Sequence, residues 1–385
     1  MPRKKNTAKL LKKKAEQGKL ESVLAYCHNI LPEAVEFVKS MGPYMVYTQK
    51  GDFERNIEMH KNADVVIIGD HLDSFLPEDK MPNLSYVPCH AAGYDFVPNH
   101  VFERGIVVTN LPTHPTHAVS DYVLACLERF GFIATSLEDS YADKRNLECN
   151  FRLFLGRKEK TKFGGLEGEE TASKPNIIRN ELITPKVGII GLGRIGIDTA
   201  KKLSEFGCSV NYFSRTRKPD LEEKMGVKYC GSAAEIAKQS DILVISCGYD
   251  ESSKGLIGMR EVRALEKGKH NPTLINVSRY GVIKENAYNH LFSPESRIKL
   301  ADDVLYDSIA KPIPGVNYKV LGDVFEAGIL DRGSEYRKRI VLTPHNAFNT
   351  SATNQRKLDE FKETFNSVLD GKPINRVYRN VGGGK

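Results

Sequence analysis

The eleven residues "KVGIIGLGRIG", Lys186 to Gly196, leave little freedom for what surrounds them. Val187 to Ile190 is a short apolar run that reads as a buried strand, and a helical pattern begins near Ile195. Between them stand Gly191, Gly193 and Gly196 at GxGxxG spacing. In a strand–turn–helix unit each glycine has its own job. The first permits the tight turn, the second lets the backbone approach a pyrophosphate, and the third lets helix and strand pack closely. The exposed N–H groups of the helix N-terminus complete an anion seat, to which Arg194 and Ile195 contribute their backbone. The pattern points to a dinucleotide-binding α/β unit.

The next strand, "SVNYF", ends at Ser214, Arg215, Thr216 and Arg217. A site for NAD wants an acidic side chain here, about 20 residues past the glycines, to accept from the ribose 2′-OH. This chain offers two guanidinium groups and two hydroxyls instead. Guanidinium forks suit a 2′-phosphate. The expected cofactor is therefore NADP, with NAD as the second choice, and Arg215 is expected to matter more than Arg217.

Elsewhere, short apolar runs alternate with helical patterns. "VLAYCHNI", "YMVYT", "ADVVIIGD", "LSYVPCH" and "IVVTN" read as strands, with helices at "LPEAVEFVKSMG", "FERNIEMHKNA" and "VPNHVFERG". This rhythm predicts a parallel sheet covered on both faces. "HAVSDYVLACLERFGFIATSLEDSYADK" is the longest helical pattern, with Val119, Val123, Leu124 and Leu127 on one side. A charged, Gly-rich arm follows, then the glycine loop and further βα units, with late strands at "KVLGDVF" and "RIVLTPHNA".

With 385 residues, 40% hydrophobic and 27% charged, the chain has room for two domains and a soluble core. No apolar run has membrane-spanning length, and the basic start lacks a signal-peptide core, so a cytoplasmic protein is expected. Seven scattered cysteines without CxxC spacing read as reduced thiols. Much of the basic excess behind the net charge of +7 sits in residues 1–20, expected to be a solvated, partly helical extension with nucleic acid an improbable partner. His114 and His117 lack acidic or thiol neighbours, so a loop is preferred to a metal site. Asp302 and Asp303 read as a surface pair. Cys89 and His90, at a strand end, are expected to line a cleft.

Two later strands end in reactive-looking groups: "LINVSRYGV" in Arg279 and "IVLTPHNA" in His345. Strand C-termini border the ligand crevice of a doubly wound sheet. There an Arg can grip a carboxylate and polarise a carbonyl, and a His can donate a proton as hydride arrives.

The order of motifs resembles the D-isomer-specific 2-hydroxyacid dehydrogenases. "AAGYDFVPNHVFERGIVVTNLP", "AVSDYVLACLERF", "VGIIGLGRIG", "INVSRYGV", "GDVF" and "LTPHNA" follow one another as in that family. The resemblance implies an α/β fold of two Rossmann-like, doubly wound domains facing each other across a cleft. The NAD(P)-binding domain, 115–346, would be inserted in a substrate domain made of 21–114 and 347–385. It implies a homodimer and a 2-oxo or 2-hydroxy acid substrate. Backbone N–H groups at Ala91, Ala92 and Gly93 would hold the substrate carboxylate with Arg279. His345 would be the acid/base, and Asp323 would bind the nicotinamide carboxamide. The family glutamate five residues after that aspartate is Gly328 here, and Glu326 is the nearest carboxylate to partner His345. Tyr280 follows the arginine where the family usually has Gly. These departures carry an alternative, a catalytically impaired NADP(H)-sensing binding protein of the same fold.

Overall fold

The computed structural model describes residues 7–17, 23–26, 30–40, 45–48, 62–69, 81–132, 185–267, 269, 271–305 and 335–379. They build two parallel sheets. The first contains β1 (Val23–Tyr26), β2 (Met45–Thr48), β3 (Val65–Ile68), β4 (Tyr86–Pro88) and β5 (Val107–Thr109), in the order β2-β1-β3-β4-β5. Alternation assigns its two faces. Val65, Ile67, Tyr86 and Val107 pack on one side with α2 (Pro32–Lys39) and α10 (Ser351–Leu369). Val66, Ile68, Val87 and Val108 pack on the other with Val97 and with Val101 of α3 (Asn99–Glu103).

The second sheet holds β6 (Lys186–Ile190), β7 (Ser209–Phe213), β8 (Lys228–Tyr229), β9 (Ile242–Ile245), β10 (Thr273–Asn276), β11 (Lys299–Asp302) and β12 (Ile340–Leu342). Its order is β12-β11-β10-β9-β6-β7-β8. The chain runs outward from β6 to one edge, then returns to β9 and runs to the other, so the strand order reverses between β6 and β9. In a doubly wound sheet that is where a ligand crevice opens. Val187, Ile189, Ile242 and Val244 meet α4 (Thr116–Arg129) and α5 (Arg194–Glu205) on one face. Ile190, Leu243, Ile245 and Leu274 meet α7 (Ala233–Gln239), α8 (Met259–Glu266) and α9 (Glu285–Phe292) on the other.

Local signals set the helix ends. Ser232 Oγ accepts from the Glu235 N–H at 3.1 Å, and the Glu235 carboxylate returns to the Gly231 N–H at 2.8 Å, which caps α7. Thr350 does the same for α10 through the Thr353 N–H. The short helix α6 (Pro219–Met225) starts on Pro and stops at Gly226, whose φ of 68° is left-handed.

Two expectations change. The basic start contains α1 (Thr7–Glu16), and it docks rather than floats. Leu11 is buried with Phe361 and Phe365, and Lys14 pairs with the buried Asp64 at 2.6 Å. The segment "RIKLADDV" contains β11, a strand flanked on both sides, because its charges find buried partners. Asp302 and Asp303 are accordingly 0% and 2% exposed, not a surface pair. The expected strand "KVLGDVF", all but the last two residues of the expected helix "FERNIEMHKNA", the Gly-rich arm, Asp323, Glu326 and Gly328 lie outside the described residues.

Candidate active site

Gly191 leaves β6 with φ of 96°, in the left-handed region open to glycine. A side chain there would also collide with the backbone of Cys247, just beyond β9. Gly196 abuts the Gly191 carbonyl, so the third glycine serves helix–strand packing. A Cβ at Gly193, by contrast, would meet nothing within 4 Å, and α5 starts there with no side-chain cap. Gly193 therefore borders open space. That space is a cleft of about 510 Å³, lined by the glycine loop, Phe213 to Thr216, Lys218, Ser246 to Gly248, and Ser252, Ser253 and Leu256. These features fit a dinucleotide: room at the second glycine, uncapped N–H groups, and cationic side chains at the β7 end.

The residues after β7 are held from several sides. Arg215 reaches across to Asp250, whose other oxygen is fixed by the Ser252 N–H at 2.9 Å and the Ser252 hydroxyl at 2.6 Å. Arg217 forks onto Glu222 at 2.9 and 2.8 Å and lies over the Tyr229 ring. Arg217, with the Tyr212 hydroxyl, pushes the Glu222 carboxyl well below its ordinary range. Ser214 donates its hydroxyl proton to the Thr216 carbonyl at 2.7 Å. Arg215 and Lys218 are thus the cations past β7 placed on the cleft wall, while Arg217 is committed to Glu222 of α6.

The expected carboxylate loop and Arg279 come together. A Cβ at Gly93 would overlap the Arg279 guanidinium, so a glycine is needed for this approach. The Ala91 and Ala92 carbonyls are taken by the Leu111 N–H at 2.9 Å and the Asn110 amide at 2.6 Å, which fixes the loop. Arg279 donates through Nη2 and Nε to Asp95 at 3.2 and 3.4 Å, and through Nη1 to the Ser278 carbonyl at 2.8 Å. Its guanidinium edge thus accepts a carboxylate side-on.

His345 lies in the turn after β12. Asn276, Asp302 and Leu342 are in register on β10, β11 and β12, and Arg279 and His345 each stand three residues beyond their strand ends. At ordinary strand spacing those ends lie about 10 Å apart on one edge of the sheet. His345 has φ of 51°, a left-handed conformation unusual for a residue with a side chain. Its turn is held by Asp303, whose carboxylate accepts from the Thr343 hydroxyl at 2.6 Å, the Asn346 N–H at 3.0 Å and the Ala347 N–H at 3.2 Å. Burial raises the Asp303 pKa, opposed by the Thr343 hydroxyl and by His345. Burial likewise raises Asp302 to about 6, against hydrogen bonds from Tyr288, Asn276 and two backbone N–H groups. Asp303 is the carboxylate that sequence reading missed. Its one local mark is its place two residues after the "IKLA" run, just past the strand end.

Cys89 and His90 do not line the cleft. Cys89 packs in the core with Val97 and Val101, and burial raises its thiol pKa far above the ordinary range. His90 is 0% exposed, edge-on to Phe361. His114 is buried beside Glu360, and burial lowers its pKa. His117 pairs with Asp198 at 3.1 Å. No cluster of three or more metal-ligating side chains occurs among the described residues. None of the described helices is long and apolar enough to cross a membrane.

A family model described as the NAD-binding domain of D-isomer specific 2-hydroxyacid dehydrogenases matches residues 158–347. Over that stretch, just under half of its length, the chain is similar to the D-isomer-specific 2-hydroxyacid dehydrogenase family. It is 31% identical over 228 residues to glyoxylate/hydroxypyruvate reductase A of Arabidopsis thaliana, covering 58% of this chain and 62% of that one. A glyoxylate reductase from Thermococcus litoralis is 30% identical, covering 59% of this chain and 61% of the relative. The matches thus span about three fifths of these curated relatives. Among solved structures, an NADPH-dependent glyoxylate/hydroxypyruvate reductase from Sinorhizobium meliloti, in complex with NADP and malonate, superposes with a TM-score of 0.66. It is 22% identical and the match covers 94% and 99% of the two chains. A D-lactate dehydrogenase from Aquifex aeolicus, with NAD and lactic acid, also gives 0.66, at 21% identity and 91% and 96% coverage. At these identities the superpositions bear on the fold: a two-domain, parallel-sheet α/β architecture.

Proposed function

We propose that this protein is an NADP(H)-dependent reductase of small 2-oxo acids such as glyoxylate and hydroxypyruvate. The observation that carries the reading is the contact of the Gly93 turn with Arg279. It sets a cation that grips carboxylates between the first sheet and the ligand edge of the second. The names of the curated relatives favour the same substrate class.

In this reading residues 115–346 bind the cofactor, and 21–114 with 347–385 bind the substrate. Gly191, Gly193 and Gly196, with the α5 N–H groups at Arg194 and Ile195, hold the pyrophosphate. Arg215 meets the 2′-phosphate, exchanging Asp250 for it, and Ser214 and Thr216 shape the turn. Bound there, NADPH supplies a hydride. Arg279 exchanges Asp95 for the substrate carboxylate, assisted by N–H groups of residues 91–93, and so orients the carbonyl. His345 donates the proton that the product hydroxyl needs. Asp303 holds the His345 turn and supplies negative charge beside it, the work expected of Glu326.

The test is NADPH oxidation with glyoxylate, hydroxypyruvate, pyruvate and a bulkier 2-oxo acid. Turnover lost in Arg279→Ala through a raised KM supports the proposal. Folded protein that binds NADPH yet reduces none of the four refutes it, and favours the NADP(H)-sensing alternative.

A further inference from the structure

We propose that Asp302 is a positioning residue that locks the Arg279 turn and the His345 turn into one geometry, an inference that rests on the reductase reading above. The residue ends β11, the strand between β10 and β12, so its carboxylate stands between the two turns that bear the reacting side chains. It is fully buried and accepts four hydrogen bonds. Oδ2 takes the Tyr288 hydroxyl at 2.8 Å and the Asn276 amide at 3.0 Å. Oδ1 takes the Val304 and Leu305 N–H groups at 2.9 and 2.7 Å.

Two paths lead from these bonds to Arg279. Asn276, oriented by Asp302, accepts the Ser278 N–H on its Oδ1 at 3.1 Å, and its amide lies 3.4 Å from the Arg279 carbonyl. Tyr288, held by the same carboxylate oxygen, stacks on Tyr280 with ring centres 5.1 Å apart and planes 11° from parallel. Tyr280 directly follows Arg279, and is the residue standing where the family usually has Gly. The third path runs the other way. The two backbone N–H bonds wrap the chain around Asp303, whose carboxylate holds the turn of His345.

An apolar side chain would fill a buried strand position at less cost than a charge. A carboxylate is favoured at this point because four donors from one strand, a helix and the turn after β11 converge on it. A fully satisfied buried network specifies one arrangement, whereas a partly satisfied one loses it. Asp302 is fully buried and does not line the dinucleotide cleft, so its effect on the reaction has to pass through Arg279 and His345.

Asp302→Asn keeps the volume but places an amide –NH₂ against donors on one side. The readouts are NADPH Kd, steady-state glyoxylate reduction, and calorimetric binding of oxalate, a non-reducible carboxylate that reports the Arg279 seat without turnover. The expected result is a rise of about tenfold in KM and in oxalate Kd, a fall of about tenfold in kcat, and NADPH affinity within about twofold of wild type, because small misplacements of reacting groups cost this much or more. Adding Asn276→Asp, which exchanges donor and acceptor across the pair, should recover most of the loss. Tyr288→Phe keeps the ring and removes one bond; it should weaken oxalate by about threefold, and it decides the matter if Asp302→Asn does not fold. Oxalate binding by wild type that weakens in these variants supports the inference even if no 2-oxo acid is reduced, in which case the reductase reading alone fails. A folded Asp302→Asn, or Tyr288→Phe in its place, with wild-type kinetics and oxalate affinity and only a lower Tm overturns it. So does a wild-type chain that binds no oxalate.

Discussion

Arg215→Ala isolates the phosphate reading of the cofactor cleft. The Arg215 side chain is 74% exposed and its partner Asp250 43% exposed. A pair so exposed contributes about 0–1 kcal/mol, so releasing it for a ligand costs little. A hydrogen bond between charged groups, such as guanidinium and phosphate, contributes about 1.5–3 kcal/mol. The difference is about 1–2 kcal/mol, or about 5- to 30-fold in NADPH Kd. NADH lacks the 2′-phosphate and should change by less than about twofold. The assay is fluorescence titration of each dinucleotide at fixed ionic strength, because exposed charges are screened by salt. Asp250→Asn should move the other way: it frees the guanidinium and tightens NADPH by about two- to fivefold. Equal weakening of NADPH and NADH by Arg215→Ala refutes the reasoning and leaves the β7 end a charged turn.

Other outcomes follow from the same geometry. Gly191→Ala forces a side chain into a φ of 96° and against Cys247, so it should lose about 1–3 kcal/mol of stability from the backbone alone and most NADPH binding; a thermal melt and a titration check both. His345→Gln should lower kcat by about 10²- to 10⁴-fold with NADPH Kd unchanged, measured by steady-state kinetics beside a binding titration. The folded state holds the Asp302 proton up to about pH 6, against an ordinary value of 3.8. The native state therefore binds more protons between those values, so this group's stabilising contribution is complete below about pH 4 and fades as pH rises through about 6. The gap corresponds to about 3 kcal/mol, and Asp302→Asn should flatten the fall in Tm between pH 4 and 6. An unchanged slope contradicts that assignment.

The glycine loop, the strands around it, and Arg279 and His345 at strand ends were legible because each rests on local pattern. Alternating strand and helix signals gave the parallel sheets for the same reason. β11 was not legible: two aspartates in "KLADD" read as surface, and the donors that make their burial tolerable come from Tyr288 on α9, Asn276 on β10 and the turn after β12. No short window contains those partners. Arg217 and Glu222 are five residues apart, so that pairing lay within reach of the sequence, whereas Arg215 with Asp250 spans 35 positions. Cys89 and His90 were misplaced because a strand-end position does not tell depth. Their burial comes from residues packed over the first sheet: Val97 and Val101 against Cys89, and the Phe361 ring of α10 against His90.

The central claim is that Arg279 and His345 together turn a dinucleotide-binding cleft into a 2-oxo acid reductase. The most direct measurement is single-turnover oxidation of enzyme-bound NADPH on mixing with glyoxylate, for wild type and for Arg279→Ala. The account predicts a saturable decay for wild type. For Arg279→Ala it predicts a decay that needs about a hundredfold more glyoxylate to reach half its maximal rate. Bound NADPH that persists in wild type with every 2-oxo acid offered, or wild-type decay in Arg279→Ala, contradicts it.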